Sequence, residues 1–335
     1  MPLYCGIDLH SNNHVICVID EKDERVFEIK LENDSTLTLK SLSKYKRRLK
    51  GIAVESTYNW YWLVDALMES GYHVDLVNTA KVVQYEGLKH TNDKYDAFHL
   101  AHLMRLGILP TGHIYQKETR GLRDLLRKRM QLVQTRSAAL IRFKSMIQLH
   151  SGKTIRADTI KTRKFKIPIV GDSNVQLALQ SELQLIRALI DQIKLLEKSI
   201  LDQVEPLAQY QLLKSIPGIG DILASTIWLE IGDINRFKSP GNFASYCRCV
   251  NSRRESNGKK KGENNRKNGN KYLAWAFIEA ANFCVRRCEP ARRFCEKKTT
   301  QRNNIIARKA LAHKLSRACY WVIKNQEPFQ LSKLF

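Results

Sequence analysis

The chain has 335 residues, 43% hydrophobic and 27% charged, with 56 Lys and Arg against 33 Asp and Glu. That length suits two or three domains with a sizeable core, and the composition excludes a collagen-like or wholly disordered chain. No apolar run approaches the roughly 18–20 residues of a membrane span. Met1–Cys5 shows no basic start before an apolar block, and the eight scattered Cys read as reduced thiols. A cytoplasmic protein without a membrane partner is expected.

The net charge of +23 is concentrated in two blocks. Residues 117–166 hold fifteen cations against three acids, and residues 251–315 hold eighteen against five, leaving the remainder almost neutral. A general solubility effect would spread the charge. Two basic blocks point to a polyanion, most simply nucleic acid.

In chain order, Leu3–Leu9, His14–Asp20 and Val26–Leu31 read as three strands joined by polar turns. A helix over Ser35–Leu49, a strand over Ile52–Glu55, a helix over Trp60–Ser70 and a strand over His73–Val77 follow. A short helix near Lys81–Gly87 precedes a longer one over Asp93–Leu106. This βββαβαβα order indicates an α/β sheet with helices packed on it. Residues 117–150 form a long basic helix, with Leu126, Met130, Val133, Ser137, Leu140, Phe143 and Ile147 at 3–4 spacing. After a linker at 151–173, Leu179, Leu183, Ile186, Ile190, Ile193, Leu196, Ile200 and Val204 mark the stripe of a second long helix, ended by Pro206. Two such seams give either an antiparallel hairpin or an oligomeric coiled coil. The rest reads as mostly helical, interrupted by a polar segment at Asn251–Asn270. The expected domains are 1–115, 116–206 and 207–335, α/β followed by all-α.

Two strands end on acids: Asp8 after an apolar run, and Glu55 after Gly51-Ile52-Ala53-Val54. A carboxylate on a buried strand needs a partner. Asp93 and Asp96 stand three apart at a helix start, so they share a face. Strand and helix ends can bring all four together, and such a cluster is tolerable only when cations neutralise it. Mg²⁺ or Mn²⁺ suits the oxygen donors, and a pair of ions would clamp a phosphate.

Ser215-Ile216-Pro217-Gly218-Ile219-Gly220 lies between two helical stretches, the pattern of a helix-hairpin-helix that holds phosphate through backbone donors, with Gly218 and Gly220 permitting the turn. Downstream, Ser256 sits among Arg253, Arg254, Lys259, Lys260 and Lys261, with Gly258 allowing close approach. A serine in such a cationic loop can attack a phosphodiester, with Ser252 a nearby rival to Ser256, and the basic residues are candidates for DNA binding. Cys247, Cys249, Cys284 and Cys288 match no standard zinc spacing and read as buried thiols, and Tyr272–Phe277 reads as core.

These pieces together resemble the DEDD transposases of the insertion-sequence-110 family, which includes the Piv-type DNA invertases. The resemblance rests on Gly6-Ile7-Asp8, Val54-Glu55-Ser56-Thr57, Glu86-Gly87-Leu88-Lys89, Asn92-Asp93-Lys94-Tyr95-Asp96-Ala97, Ser215–Gly220, Ser256-Asn257-Gly258-Lys259 and Lys267-Asn268-Gly269-Asn270-Lys271-Tyr272-Leu273. It implies a RuvC-like, ribonuclease-H-type N-terminal domain, a coiled-coil middle and a C-terminal transposase domain, in a prokaryotic, DNA-associated protein. Asp8, Glu55, Asp93 and Asp96 would be the metal tetrad and Ser256 the nucleophile that joins DNA. The resemblance further implies element-end and target DNA, a structured guide (bridge) RNA, and a dimer-to-tetramer assembly in which one subunit's tetrad meets another's serine. Many members carry glycine directly after the serine; here Asn257 intervenes, and Cys249-Val250-Asn251 replaces the usual Leu-x-Pro. Strand exchange through serine is the leading expectation. A hydrolytic nuclease of junction-resolvase type, needing only the tetrad and water, is the alternative, and a non-catalytic nucleic-acid-binding protein is the third.

Overall fold

A computed structural model describes residues 1–79, 82, 92–251, 254–262 and 268–334. Apart from Val82, the expected helix near Lys81–Gly87 lies outside the described residues, as do the Glu86–Lys89 motif, Ser252, Arg253 and Lys267. The chain divides into two compact units, Met1–Lys117 and Glu118–Phe335.

The first unit is a five-stranded mixed sheet in the order β3-β2-β1-β4-β5. Strands β1 (Leu3–Leu9), β2 (Asn13–Ile19) and β3 (Arg25–Glu32) form an antiparallel meander, while β4 (Leu49–Glu55) and β5 (Val74–Val77) add parallel strands beside β1. Side chains alternate across a sheet, and the sequence uses both faces of β1 differently. Leu3, Cys5, Ile7 and Leu9 pack with Leu42 of α1 (Ser35–Ser43) and Leu63, Val64 and Leu67 of α2 (Tyr61–Glu69). The intervening Gly6 and Asp8 face the other way, toward α3 (Asp93–Arg105). Gly51, Ala53 and Glu55 repeat this on β4, where Ala53 packs with Leu100 of α3. The small residues let the helix come close. A Cβ built on Gly6 would lie 2.0 Å from the Ala97 carbonyl oxygen and 2.7 Å from the Ala101 nitrogen.

Helix α1 stops at Ser43, short of the expected Leu49. Lys44, Lys46, Arg47 and Arg48 would stack like charges one turn apart if the helix continued. The chain instead makes tight turns, Tyr45 and Arg48 amides donating to Leu42 and Tyr45 carbonyls, and enters β4 at Leu49.

In the second unit, α4 (Lys117–Ser151) begins at the unit boundary and runs antiparallel to α6 (Ser173–Val204). Arg129 bonds Glu197 and Arg142 bonds Glu182, which fixes the opposite directions. Of the two expectations for these helices, the intrachain hairpin is the one observed. The segment expected as a linker is packed: it carries the one-turn helix α5 (Ala157–Ile160), and Ile160 is buried with Phe143, Ile147, Leu179 and Leu183. The larger core unites α7 (Ala208–Lys214), α8 (Asp221–Ile231), α9 (Pro240–Tyr246), α10 (Lys271–Arg287), α11 (Glu289–Gln301) and α12 (Asn304–Asn325). All eight cysteines are free thiols; Cys247, Cys284 and Cys288 are buried, as expected of structural thiols, whereas Cys249 is only half-buried. Leu273, Ala276 and Phe277 are likewise core. Among the described residues no helix is long and apolar enough to cross a membrane.

The polar segment after α9 holds a two-stranded hairpin, β6 (Arg254–Ser256) and β7 (Lys259–Gly262). Asn257 and Gly258 form its turn with φ of 50° and 70°. Two successive positive φ values are the signature of the tight turn that matches strand twist, and Asn-Gly is its preferred pair.

Candidate active site

Asp8 is the last but one residue of β1 and Glu55 the last of β4, so two parallel neighbours deliver their acids to the same sheet end. Helix α3 is capped by Asn92, whose side chain accepts the Tyr95 amide, and Asp93 and Asp96 occupy its first turn. The Gly6 contact with Ala97 holds that first turn against β1, next to Asp8. Asp8 is buried, Glu55 and Asp96 are half-buried, and Asp93 is the most open.

Electrostatics shows how closely the acids are held. Burial, a hydrogen bond with Asp8 and the charges of Asp8 and Asp96 push the Glu55 carboxyl up to about 8. Burial and then the Asp8 and Asp93 charges raise Asp96. Asp93 is held low, chiefly by a 3.1 Å bond from Lys30 Nζ and also by His10. Left to themselves, these acids accommodate one another only by keeping a proton or turning to a cation.

His10 completes the cluster. Its Nε2 lies 3.1 Å from Asp8 Oδ2 and 3.4 Å from Asp93 Oδ1. Donor atoms of Asp8, His10 and Asp93 all fall within 4.8 Å of one another. The Asp8 Oδ2 and His10 Nε2 atoms are buried, yet neither has a hydrogen bond. A ring nitrogen and carboxylate oxygens held this close can converge on one cation, so these residues suit a divalent metal. The turn that carries His10 is rigid: Asn33 and Asn59 side chains each donate to its carbonyl at 3.0 Å.

In the second unit Ser256 ends β6, exposed beside the turn and opposite Lys259 in the ladder. Arg254 and Lys260 stand in the same hairpin, and Lys259 and Lys261 are exposed. The hairpin springs from a closed neck. The Asn270 amide donates to the Tyr246 carbonyl at 2.7 Å, and Arg248 donates to the Gly269 carbonyl at 2.9 Å. Asn270 caps α10 and also donates to Glu230 at 2.7 Å. Glu230 is buried and takes further bonds from Arg127 at 2.6 and 2.8 Å and Arg123 at 3.2 Å. Burial alone would raise its carboxyl, but these donors outweigh it and hold it below the usual range.

The turn between α7 and α8 places its two glycines differently. Gly218, at φ +91°, turns inward: a Cβ there would meet the Ala280 carbonyl at 2.3 Å and the Cys284 nitrogen at 2.6 Å. Gly220 is exposed at the start of α8, with nothing within 4 Å of a Cβ position. The next residue, Asp221, is held low by Lys214 at 2.8 Å and then by the Tyr210 hydroxyl.

Two family models match the chain. One, described as Transposase and made for DEDD transposases of the insertion-sequence-110 type, covers residues 5–151. The other, described as the Transposase IS116/IS110/IS902 family, covers residues 210–296. The chain belongs to the insertion-sequence-110 family of DEDD transposases. It is a DNA transposase, and the family suggests dependence on a divalent metal. No curated protein matches the chain.

In this transposase the four acids named from sequence gather at one end of one sheet. His10 is not among the residues that sequence singles out. Its only signal is position, two residues beyond Asp8, and its role depends on Asn33 and Asn59, which are remote in sequence. Glu230 is missed in the same way; an acid inside the apolar run Ile222–Ile231 with basic residues at 123 and 127 is the available sign.

Proposed function

We propose that the transposase cleaves and rejoins DNA strands through Ser256, with Asp8, Glu55, Asp93 and Asp96 holding Mg²⁺ or Mn²⁺, in a RuvC-like first domain. The observation that carries this reading is the convergence of the four acids on the α3 face of the sheet, with the Glu55 carboxyl driven up to about 8 by its neighbours. Asp8 offers a buried carboxylate and Glu55 a half-buried one, Asp96 and Asp93 approach from the helix, and His10 adds a nitrogen. A bound divalent ion would supply charge neutralisation at a phosphate and favour loss of the leaving oxygen.

The hydroxyl of Ser256 attacks phosphorus. An Oγ–P bond forms, the P–O bond to one sugar breaks, and the hydroxyl proton is passed to a base while the leaving sugar oxygen takes one up. The phosphoserine ester retains the energy of the broken bond, so a second sugar hydroxyl can reverse the step on a new strand. A tight Asn257-Gly258 turn beside Ser256 and a neck closed by Asn270 suit a nucleophile that must be presented rather than left to wander. Arg253, Arg254, Lys259, Lys260 and Lys261 would attract the DNA backbone. Gly220 at the α8 start is the better of the two glycines for a phosphate contact in a helix-hairpin-helix, since Gly218 serves packing.

The functional division follows: 1–115 as the DEDD domain, 116–206 as a coiled-coil region, 207–335 as the transposase domain. A structured guide RNA is the second nucleic-acid partner, supported by the basic block at 117–166. Assembly into a dimer or tetramer is supported by apolar residues left outside the intrachain seam, Leu177 at 66% and Leu195 at 60% exposure among them. Incubating protein, guide RNA and labelled element-end DNA with Mg²⁺ tests the reading: a protein–DNA adduct that survives denaturation is expected, and free nicked DNA alone would instead favour hydrolysis.

A further inference from the structure

The C-terminal segment builds a cleft that none of the groups above uses. Helix α12 ends at Asn325, and the left-handed conformation of the next residue, Gln326 (φ 56°), turns the chain back. The return is fastened at two points: the Phe329 amide donates to Ser215 Oγ at 2.8 Å, and Lys314 Nζ donates to the Leu334 carbonyl at 2.5 Å. Between this strap and α12 lies a cleft of about 590 Å³. That is within the range of about 300–1,000 Å³ typical of small-ligand sites.

The lining is unusual for a surface cleft. Trp321 lies on it with half of its surface exposed, its ring touching Tyr320 edge-on at 5.2 Å. Arg317, Lys314 and Lys333 surround it, against one acid, Glu327. Neither Arg317 nor Lys333 is engaged in an ion pair among the described residues. An apolar segment of another protein would gain nothing from these cations, and an acidic peptide would leave the indole unused. A flat aromatic surface flanked by cations matches an unpaired nucleotide, whose base stacks on indole while its phosphate meets guanidinium and ammonium groups. A duplex would not offer it, because its bases are already stacked on each other.

We propose that this cleft binds an unpaired nucleotide of single-stranded nucleic acid, the base stacking on Trp321 and the flanking phosphates lying against Arg317 and Lys333. The shared chemistry admits RNA or DNA. The site shares no residue with Ser256 or the carboxylates, so its failure and theirs are separable.

The test uses the full-length protein with the single-stranded dodecamers dT12 and rU12 and a blunt DNA duplex of equal length. Of the five tryptophans, Trp321 is isolated by difference against Trp321→Phe. Either dodecamer should quench the Trp321 emission, and the duplex should not. Quenching by rU12 alone assigns the cleft to RNA, by dT12 alone to DNA, and by both to either strand. Trp321→Ala should weaken single-strand binding roughly five- to 150-fold, the usual loss of one stacked base, while Trp321→Phe retains most of it. Arg317→Glu with Lys333→Glu should flatten the salt dependence by about 0.7 for each phosphate that is no longer neutralised. Ser256→Ala should quench as the native protein does. Should Trp321→Ala lose its native melting transition, Trp321→Phe and the charge-reversed pair still give the answer. The proposal is overturned if neither dodecamer quenches Trp321, or if folded Trp321→Ala binds both with native affinity.

Discussion

Gly6→Ala adds one methyl at the point where β1 meets α3, and the structure gives its cost. The new Cβ would lie 2.0 Å from the Ala97 carbonyl, 2.7 Å from the Ala101 nitrogen and 3.0 Å from Leu100 Cβ, whereas ordinary contact begins at 3.4 Å. The first two neighbours are backbone, which cannot rotate away, so α3 must withdraw by about 1.4 Å or tilt. Overpacking of this kind costs about 1–3 kcal/mol, a loss the first unit can survive. The site cannot absorb it as easily. Asp93 and Asp96 ride on the turn beside Ala97, and metal-ligand distances tolerate only about 0.2 Å. Mn²⁺ titrated into the protein and followed by electron paramagnetic resonance should therefore show affinity reduced at least tenfold. Strand cleavage should fall by about a hundredfold, and thermal unfolding should shift by several degrees. Native Mn²⁺ affinity in folded Gly6→Ala would refute the claim that this contact sets the acids in place.

Glu55 makes metal-free stability depend on pH. Its carboxyl is raised from 4.5 to about 8, so the folded state holds a proton that the unfolded state has released between those values. Stability from this group is complete below about 4.5 and falls as pH rises toward 8. Thermal melts without metal should decline across that window, and Glu55→Gln should flatten the decline. On the proposal that Glu55 is a metal ligand, binding must displace this proton, and Mn²⁺ should bind more tightly as pH approaches 8; calorimetry showing pH-independent affinity would contradict it. In the second unit, Glu230→Gln leaves Arg123 and Arg127 facing a neutral amide in a buried setting, at a cost of about 3–5 kcal/mol. Denaturant unfolding should show that loss, and a change below about 1 kcal/mol would mean the cluster is better solvated than its burial implies.

The parts of this protein legible in its sequence are those where a residue contradicts its surroundings. Asp8 and Glu55 stand out because acids end apolar strands, and Asp93 and Asp96 because their spacing puts them on one helical face. The seams of α4 and α6 are periodic enough to read, although whether they close on each other or on another chain is a tertiary matter settled by Arg129–Glu197 and Arg142–Glu182. What sequence hides is contact between distant segments. Gly218 looks like a turn glycine with a ligand to meet, yet it faces the α10 backbone. Residues 151–173 have a linker's composition, but Ile160 and Phe165 find a core made by helices on either side. The hairpin at Ser256 is a different case. Asn257-Gly258 is a strong turn signal, hidden because its strands are short and charged, β7 being almost all lysine, and lack the alternation that marks a half-buried pair.

The central claim is that serine, and not water, attacks the phosphodiester. It is tested most directly by a denaturing gel of the native protein, Ser256→Ala and Ser252→Ala, each with end-labelled element DNA, guide RNA and Mg²⁺. A covalent protein–DNA band is expected with the native protein and Ser252→Ala, and none with Ser256→Ala, which should still bind both nucleic acids. Normal cleavage and strand exchange by Ser256→Ala would contradict the account and leave the carboxylates acting as a hydrolytic nuclease.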